Sequence, residues 1–93
     1  MSQTPVWYYH DGQVEACNLN QFDSEKKYGL VFLNAQNDIQ NVVPNVRGSS
    51  LSIEVKRRCA DTWQAVIINQ LIYDKLYTHL YRQAERTLSK RAQ

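Results

Sequence analysis

The chain has 93 residues, enough for one small domain and too few for a second core. Its 43% hydrophobic and 22% charged residues are those of an ordinary globular protein. No apolar run exceeds four residues, whereas a membrane-spanning helix needs about twenty, so no membrane association is expected. The formal net charge of +2 is unevenly spread. Residues 1–55 hold three Lys/Arg against six Asp/Glu, and residues 56–93 hold eight against three. Such asymmetry fits a basic end that meets a polyanion, or two halves that attract each other within or between chains.

The opening Met-Ser-Gln-Thr-Pro has neither a basic nor an apolar leader segment. The expectation is a cytoplasmic protein with Cys17 and Cys59 reduced. Val6-Trp7-Tyr8-Tyr9-His10, then Asp11-Gly12, then Gln13-Val14-Glu15-Ala16-Cys17 predicts a β-hairpin. Asp-Gly suits a two-residue type I′ turn, in which both residues need φ > 0, and the flanks are rich in residues that favour strands. Strand alternation puts Trp7 and Tyr9 on one face, and Val6, Tyr8 and His10 on the other.

Residues 18–27 are polar, with Asp23 or Ser24 placed to cap a short helical turn and Gly29 to end it. Leu30-Val31-Phe32-Leu33 reads as a buried strand, too short for a helix. Six of the thirteen residues at 34–46 are Asn or Gln. Residues 39–43 fit a further edge strand ended by Pro44, with a surface loop as the competing reading.

At 51–56, Leu51, Ile53 and Val55 alternate with polar residues, the pattern of a half-buried strand. The same Leu51 and Val55 also recur every fourth residue with Cys59 and Trp63, in phase with a following helix. A helix begun near Ser50 would exceed forty residues, far above the usual length, so a strand at 51–56 is preferred. A helix is then expected over 60–91. At 100° per residue, Trp63, Val66, Tyr73, Tyr77, Leu80, Tyr81, Ala84 and Leu88 form one apolar face. Lys75, His79, Arg82, Arg86 and Lys90 lie roughly opposite. The front of this helix, around 66–72, is apolar on most of its circumference and predicts burial; the back should project or pair.

The fold class expected is α+β: an N-terminal hairpin, one or two further antiparallel strands over 1–56, and one long C-terminal helix packed on the sheet. Catalytic and metal motifs are missing. Cys17, Cys59, His10 and His79 offer four metal donors, but no two stand at the close spacing of structural zinc sites. The three glycines are isolated, so no phosphate-cradling loop is present. No enzyme activity, cofactor or metal is expected. The function expected is protein–protein interaction, as a small adaptor, inhibitor or regulatory subunit forming a homodimer. Trp7, Tyr9, Tyr77, Tyr81 and Leu88 would be its contacts, since exposed aromatics favour interfaces. Arg82 and Arg86 would form a charged rim that steers an acidic protein partner. The alternative is a small nucleic-acid-binding regulator using Lys56, Arg57, Arg58, Lys75, Arg82 and Arg86. Against it, the helix tyrosines lie away from the cations, and the sequence pI of 8.6 is below the pI > 9 of strongly basic binding domains.

Overall fold

A computed structural model of the chain describes residues 6–58 and 64–92. The fold is α+β. Five strands form one sheet in the order β2-β1-β5-β3-β4, made of β1 (Val6–His10), β2 (Gln13–Ala16), β3 (Lys27–Leu33), β4 (Ile39–Arg47) and β5 (Gln64–Asn69). A short helix, α1 (Leu51–Arg58), precedes β5, and the long helix α2 (Gln70–Ala92) follows it. All strand pairs are antiparallel except β1 with β5.

The hairpin forms as its turn chemistry dictates. Asp11 and Gly12 have φ of 48° and 79°, the left-handed values of a type I′ turn. Strand alternation then sorts the core into two layers. Val6, Tyr28, Leu30, Phe32, Ala65 and Ile67 face α1, which closes that side with Leu51 and Val55. Val31, Val42, Val66 and Ile68 face α2, which contributes Tyr73, Leu80 and Ala84. Trp7 and Tyr9 share the α2 side and Tyr8 the α1 side, as the alternation predicts.

Several expectations are corrected. The helix does not begin near residue 60: Val66, Ile67 and Ile68 belong to β5, and α2 starts at Gln70. β5 lies between β1 and β3 and is buried on both faces, so it shows no apolar–polar alternation. Its β-branched residues suit a pleated strand better than a helix. Residues 51–56 are helical rather than extended. As a strand they would bury Ile53 beside Leu51 and Val55; instead Ile53 is 58% exposed while the other two are buried. Glu54 adds bonds at helical spacing, to Arg58 at 2.9 Å and Arg57 at 3.7 Å. Cys59 and Trp63 lie outside the described residues.

Smaller corrections follow the same logic. The short 3₁₀ turn is Leu19–Gln21, capped by Asn18 in a reciprocal capping box with Gln21. Gly29 lies inside β3 and ends nothing. β4 is the edge strand expected at 39–43, but it passes through Pro44 to Arg47. A bulge makes that passage workable: one residue lies between Tyr28 and Leu30, two lie between their partners Val43 and Val46, and Asn45 has φ 58°. The amides of 34–46 also have defined work. Asn34 Oδ1 accepts from the N–H groups of Gln36 and Asp38, both at 2.9 Å, and builds the β3–β4 turn.

Gly29 is needed for a different reason from Gly12. A Cβ at Gly29 would overlap the ring of Tyr73, which rests on the strand backbone and is fully buried. Gly29→Ala should therefore destabilise the fold by about 1–3 kcal/mol in urea unfolding, as an overpacked core does. In a Tyr73→Ala background the same change should cost under about 1 kcal/mol, and equal costs in both backgrounds would refute the contact.

Candidate protein-interaction surface

α2 is built to carry side chains on two distinct flanks. Its first turn is pinned: Asn69 Oδ1 accepts from the Leu71 N–H at 2.9 Å as an N-terminal cap. Gln70 Nε2 donates to Asp74 at 2.6 Å, and Gln70 Oε1 accepts from the Asn45 N–H of β4 at 3.0 Å. The line through Tyr73, Leu80 and Ala84 is buried. Gln70, Tyr77 and Tyr81 recur at i, i+7 and i+11, so the tyrosines share the flank on which Gln70 reaches edge strand β4. Ile72, Leu76, His79 and Gln83 lie on the other flank.

The tyrosines form a row. Ring centroids are 5.6 Å apart from Tyr73 to Tyr77 and 5.8 Å from Tyr77 to Tyr81, with tilted planes. Tyr73 is buried at the base, while Tyr77 and Tyr81 are 38% and 46% exposed. Leu71 and Leu76 are also exposed on the same helix. Rigid aromatics of this kind offer large contact area at low entropic cost.

The expected interface residues divide into two groups. Trp7 and Tyr9 are half-buried at the margin of the α2-side core. They sit on β1, beyond β5, whereas the Tyr77–Tyr81 flank turns toward β4 at the opposite end of the sheet. All four share one side of the sheet without forming one patch. Arg82 and Arg86 are exposed on α2. Arg86 also lines an open groove of about 330 Å³ with His79, Gln83, Thr87 and Asp38 of the β3–β4 turn. The side chains of Leu88 and Lys90 lie outside the described residues.

The basic residues divide as well. Lys56, Arg57 and Arg58 are on α1, and Arg57 and Arg58 are paired with Glu54. Lys75, Arg82 and Arg86 are on α2, across the sheet. The six cations of the nucleic-acid reading therefore do not make one surface.

Among the described residues the titratable groups stand apart. His10 stands at the hairpin tip beside Asp11 at 3.1 Å, and His79 is on α2. Cys17 packs at the α1-side core, across the sheet from α2 and its His79, and burial pushes its thiol up. A thiol so shifted is a poor nucleophile at neutral pH. Among the described residues no group of three or more His, Cys, Asp or Glu converges as a metal site would require. No helix there is long and apolar enough to cross a membrane. The divided α2 flanks could not be read from the sequence with β5 counted as helix. Asn69, a good cap directly after an apolar run, was the available signal.

The Tyr73 hydroxyl is buried without a hydrogen-bond partner. Burial pushes its pKa well above the usual phenol value, and neighbouring Tyr77 and Asp74 add to the rise. Tyr73→Phe should match or exceed wild-type stability at neutral pH, by about 1 kcal/mol. Above pH about 10 the unfolded phenol ionises while the folded one keeps its proton. Wild-type stability should then fall by up to about 1.4 kcal/mol per pH unit relative to Tyr73→Phe. Urea unfolding of both proteins from pH 7 to about 11 reads this difference, and parallel curves would refute it. No known protein family matches the chain, and neither does any characterised protein or solved structure.

Proposed function

We propose that the protein is a non-enzymatic protein-interaction module, a small adaptor, inhibitor or regulatory subunit that forms a homodimer through α2. The observation that carries this reading is the exposed, mutually packed pair Tyr77 and Tyr81, anchored on buried Tyr73. A second copy of the helix laid against them would cover tyrosine faces and keep the hydroxyls near water. Trp7 and Tyr9 form a separate aromatic contact on β1. Exposed Arg82 and Arg86 give the helix a positive rim that favours an acidic partner through encounter rate. A cytoplasmic setting goes with this reading, since Cys17 is a free thiol.

The alternative reading is nucleic-acid binding. Its support is narrower: Lys75, Arg82 and Arg86 are exposed on one helix, while the α1 cations face away from them.

Sedimentation velocity separates the two. Tyr77→Ala with Tyr81→Ala should weaken the dimer at least about a hundredfold, roughly 2.7 kcal/mol, and leave polyanion affinity unchanged. A wild-type protein that stays monomeric at millimolar concentration would refute the dimer. If Lys75, Arg82 and Arg86 instead meet phosphates, log K against log salt should slope at about −2 to −3. Arg82→Glu with Arg86→Glu should then abolish that binding.

A further inference from the structure

The two edges of the sheet are finished in different ways. Along the middle of β4, from Val42 to Asn45, the outward N–H groups are consumed or missing. The Val42 N–H donates to its neighbour Asn41 Oδ1 at 2.9 Å, Pro44 has no N–H, and the Asn45 N–H donates to Gln70. Together with the bulge, these devices close an edge to added strands.

β2, the opposite edge, has none of them. The phase of its pairing follows from the turn and from one bond. The Cys17 N–H donates to the Val6 carbonyl at 3.0 Å, in register with the ladder that pairs Tyr8 with Glu15 and His10 with Gln13. In an antiparallel pair, alternate residues bond inward. Gln13, Glu15 and Cys17 therefore bond to β1, and the N–H and C=O groups of Val14 and Ala16 point outward. No described element lies beyond them.

The side chains around this open edge are equally specific. Val14 pairs with Tyr9 and Ala16 with Trp7, so all four share the α2 side of the sheet. α2 packs chiefly on β4, with β3 and β5 beside it, and Trp7 and Tyr9 are half-buried at the margin of that core. Val14 is 47% exposed, and every residue of β2 is exposed. On the other side of the strand stand Gln13 and Glu15, with Asp11 at the turn. The chain has no Lys or Arg before Lys26, so this margin is acidic.

We propose that β2 is a strand-addition site for an extended segment of another protein in which apolar and basic residues alternate. Main-chain bonds to Val14 and Ala16 would supply affinity. Side chains on the α2 side would rest beside Val14, Ala16, Tyr9 and Trp7, and those on the other side would meet Glu15. A second copy of this chain fits poorly. The symmetric register that uses the outward groups of both Val14 and Ala16 sets Glu15 directly opposite its copy, and like charges so placed destabilise a strand pair. This inference goes beyond the α2 dimer and does not depend on it.

The probe is an end-capped hexapeptide of alternating valine and lysine, added to the full chain at millimolar concentration. Amide hydrogen exchange read by NMR should slow at Val14 and Ala16 by about tenfold or more. Val14→Pro should abolish that binding without unfolding the protein, because the lost N–H bonds to nothing in the sheet. Glu15→Lys should weaken binding of this peptide about tenfold or more and favour an alternating valine–glutamate peptide instead. Unchanged exchange at both amides, equal binding to Val14→Pro, or equal affinity of the wild type for the two peptides would overturn the proposal. So would protection of Val14 and Ala16 by the protein alone at high concentration, which would make the occupant a second copy. The exchange assay reads β2 and sedimentation reads α2, so failure of one inference is distinguishable from failure of the other.

Discussion

β5 is the strand on which both halves of the sheet close. The β1–β2 hairpin pairs with it in parallel on one side, and the β3–β4 hairpin pairs with it antiparallel on the other. Its α1-side residues Ala65 and Ile67 and its α2-side residues Val66 and Ile68 are buried in two separate layers. Without β5 the chain would hold two isolated hairpins, which are marginal in water. Burial of the four apolar side chains contributes on the order of 6 kcal/mol, from about 1.5–3 kcal/mol for each large one and less for alanine. The helix α2 then folds back directly from Asn69, and its path over β3 and β4 is set by where β5 ends.

That placement explains what was legible in the sequence and what was not. The hairpin was legible because Asp11-Gly12 carries a steric requirement that few residue pairs meet. The buried character of 66–68 was legible from its unbroken apolar run; the same expectation fails at Leu71, which is 66% exposed on α2, past the polar pair Asn69 and Gln70. The secondary structure of that run was not legible, because a strand covered on both faces loses the two-residue period that identifies strands. For α1 the ambiguity was intrinsic: Leu51 and Val55 satisfy both periods, and only Ile53 distinguishes them. Pro44 resembles a strand stop in sequence because the bulge that accommodates it depends on pairing with β3, a non-local fact. Of the site, the exposed aromatics were legible as residues. Their division between β1 and the β4-facing flank of α2 required the strand order.

Each helix meets the sheet with a different electrostatic economy. On α1, Glu54 pairs with both Arg57 and Arg58 one turn away, so two of its three cations share one carboxylate and Lys56 stands exposed beside them. On α2, Asp74 and Glu85 fall along the tyrosine flank, and Lys75, His79, Arg82 and Arg86 fall around the outer face. The exposed tyrosines therefore look out past carboxylates, while the cations are presented separately. A partner that engages the tyrosine row meets a surface unlike the one a polyanion would meet.

The parallel pairing of β1 with β5 has a further consequence for how the molecule forms. Val6 is opposite Ala65, and the intervening chain contains every other strand and α1. Closing so long a loop is entropically costly and slows folding relative to a chain of local contacts. During synthesis the N-terminal hairpin leaves the ribosome well before the strand that will cover one of its edges. Until β5 arrives, the hairpin's aromatic faces and both of its backbone edges are open to other chains. Asp11 and Glu15 at its tip and outer edge would then set like charges against each other wherever two identical hairpins met edge to edge.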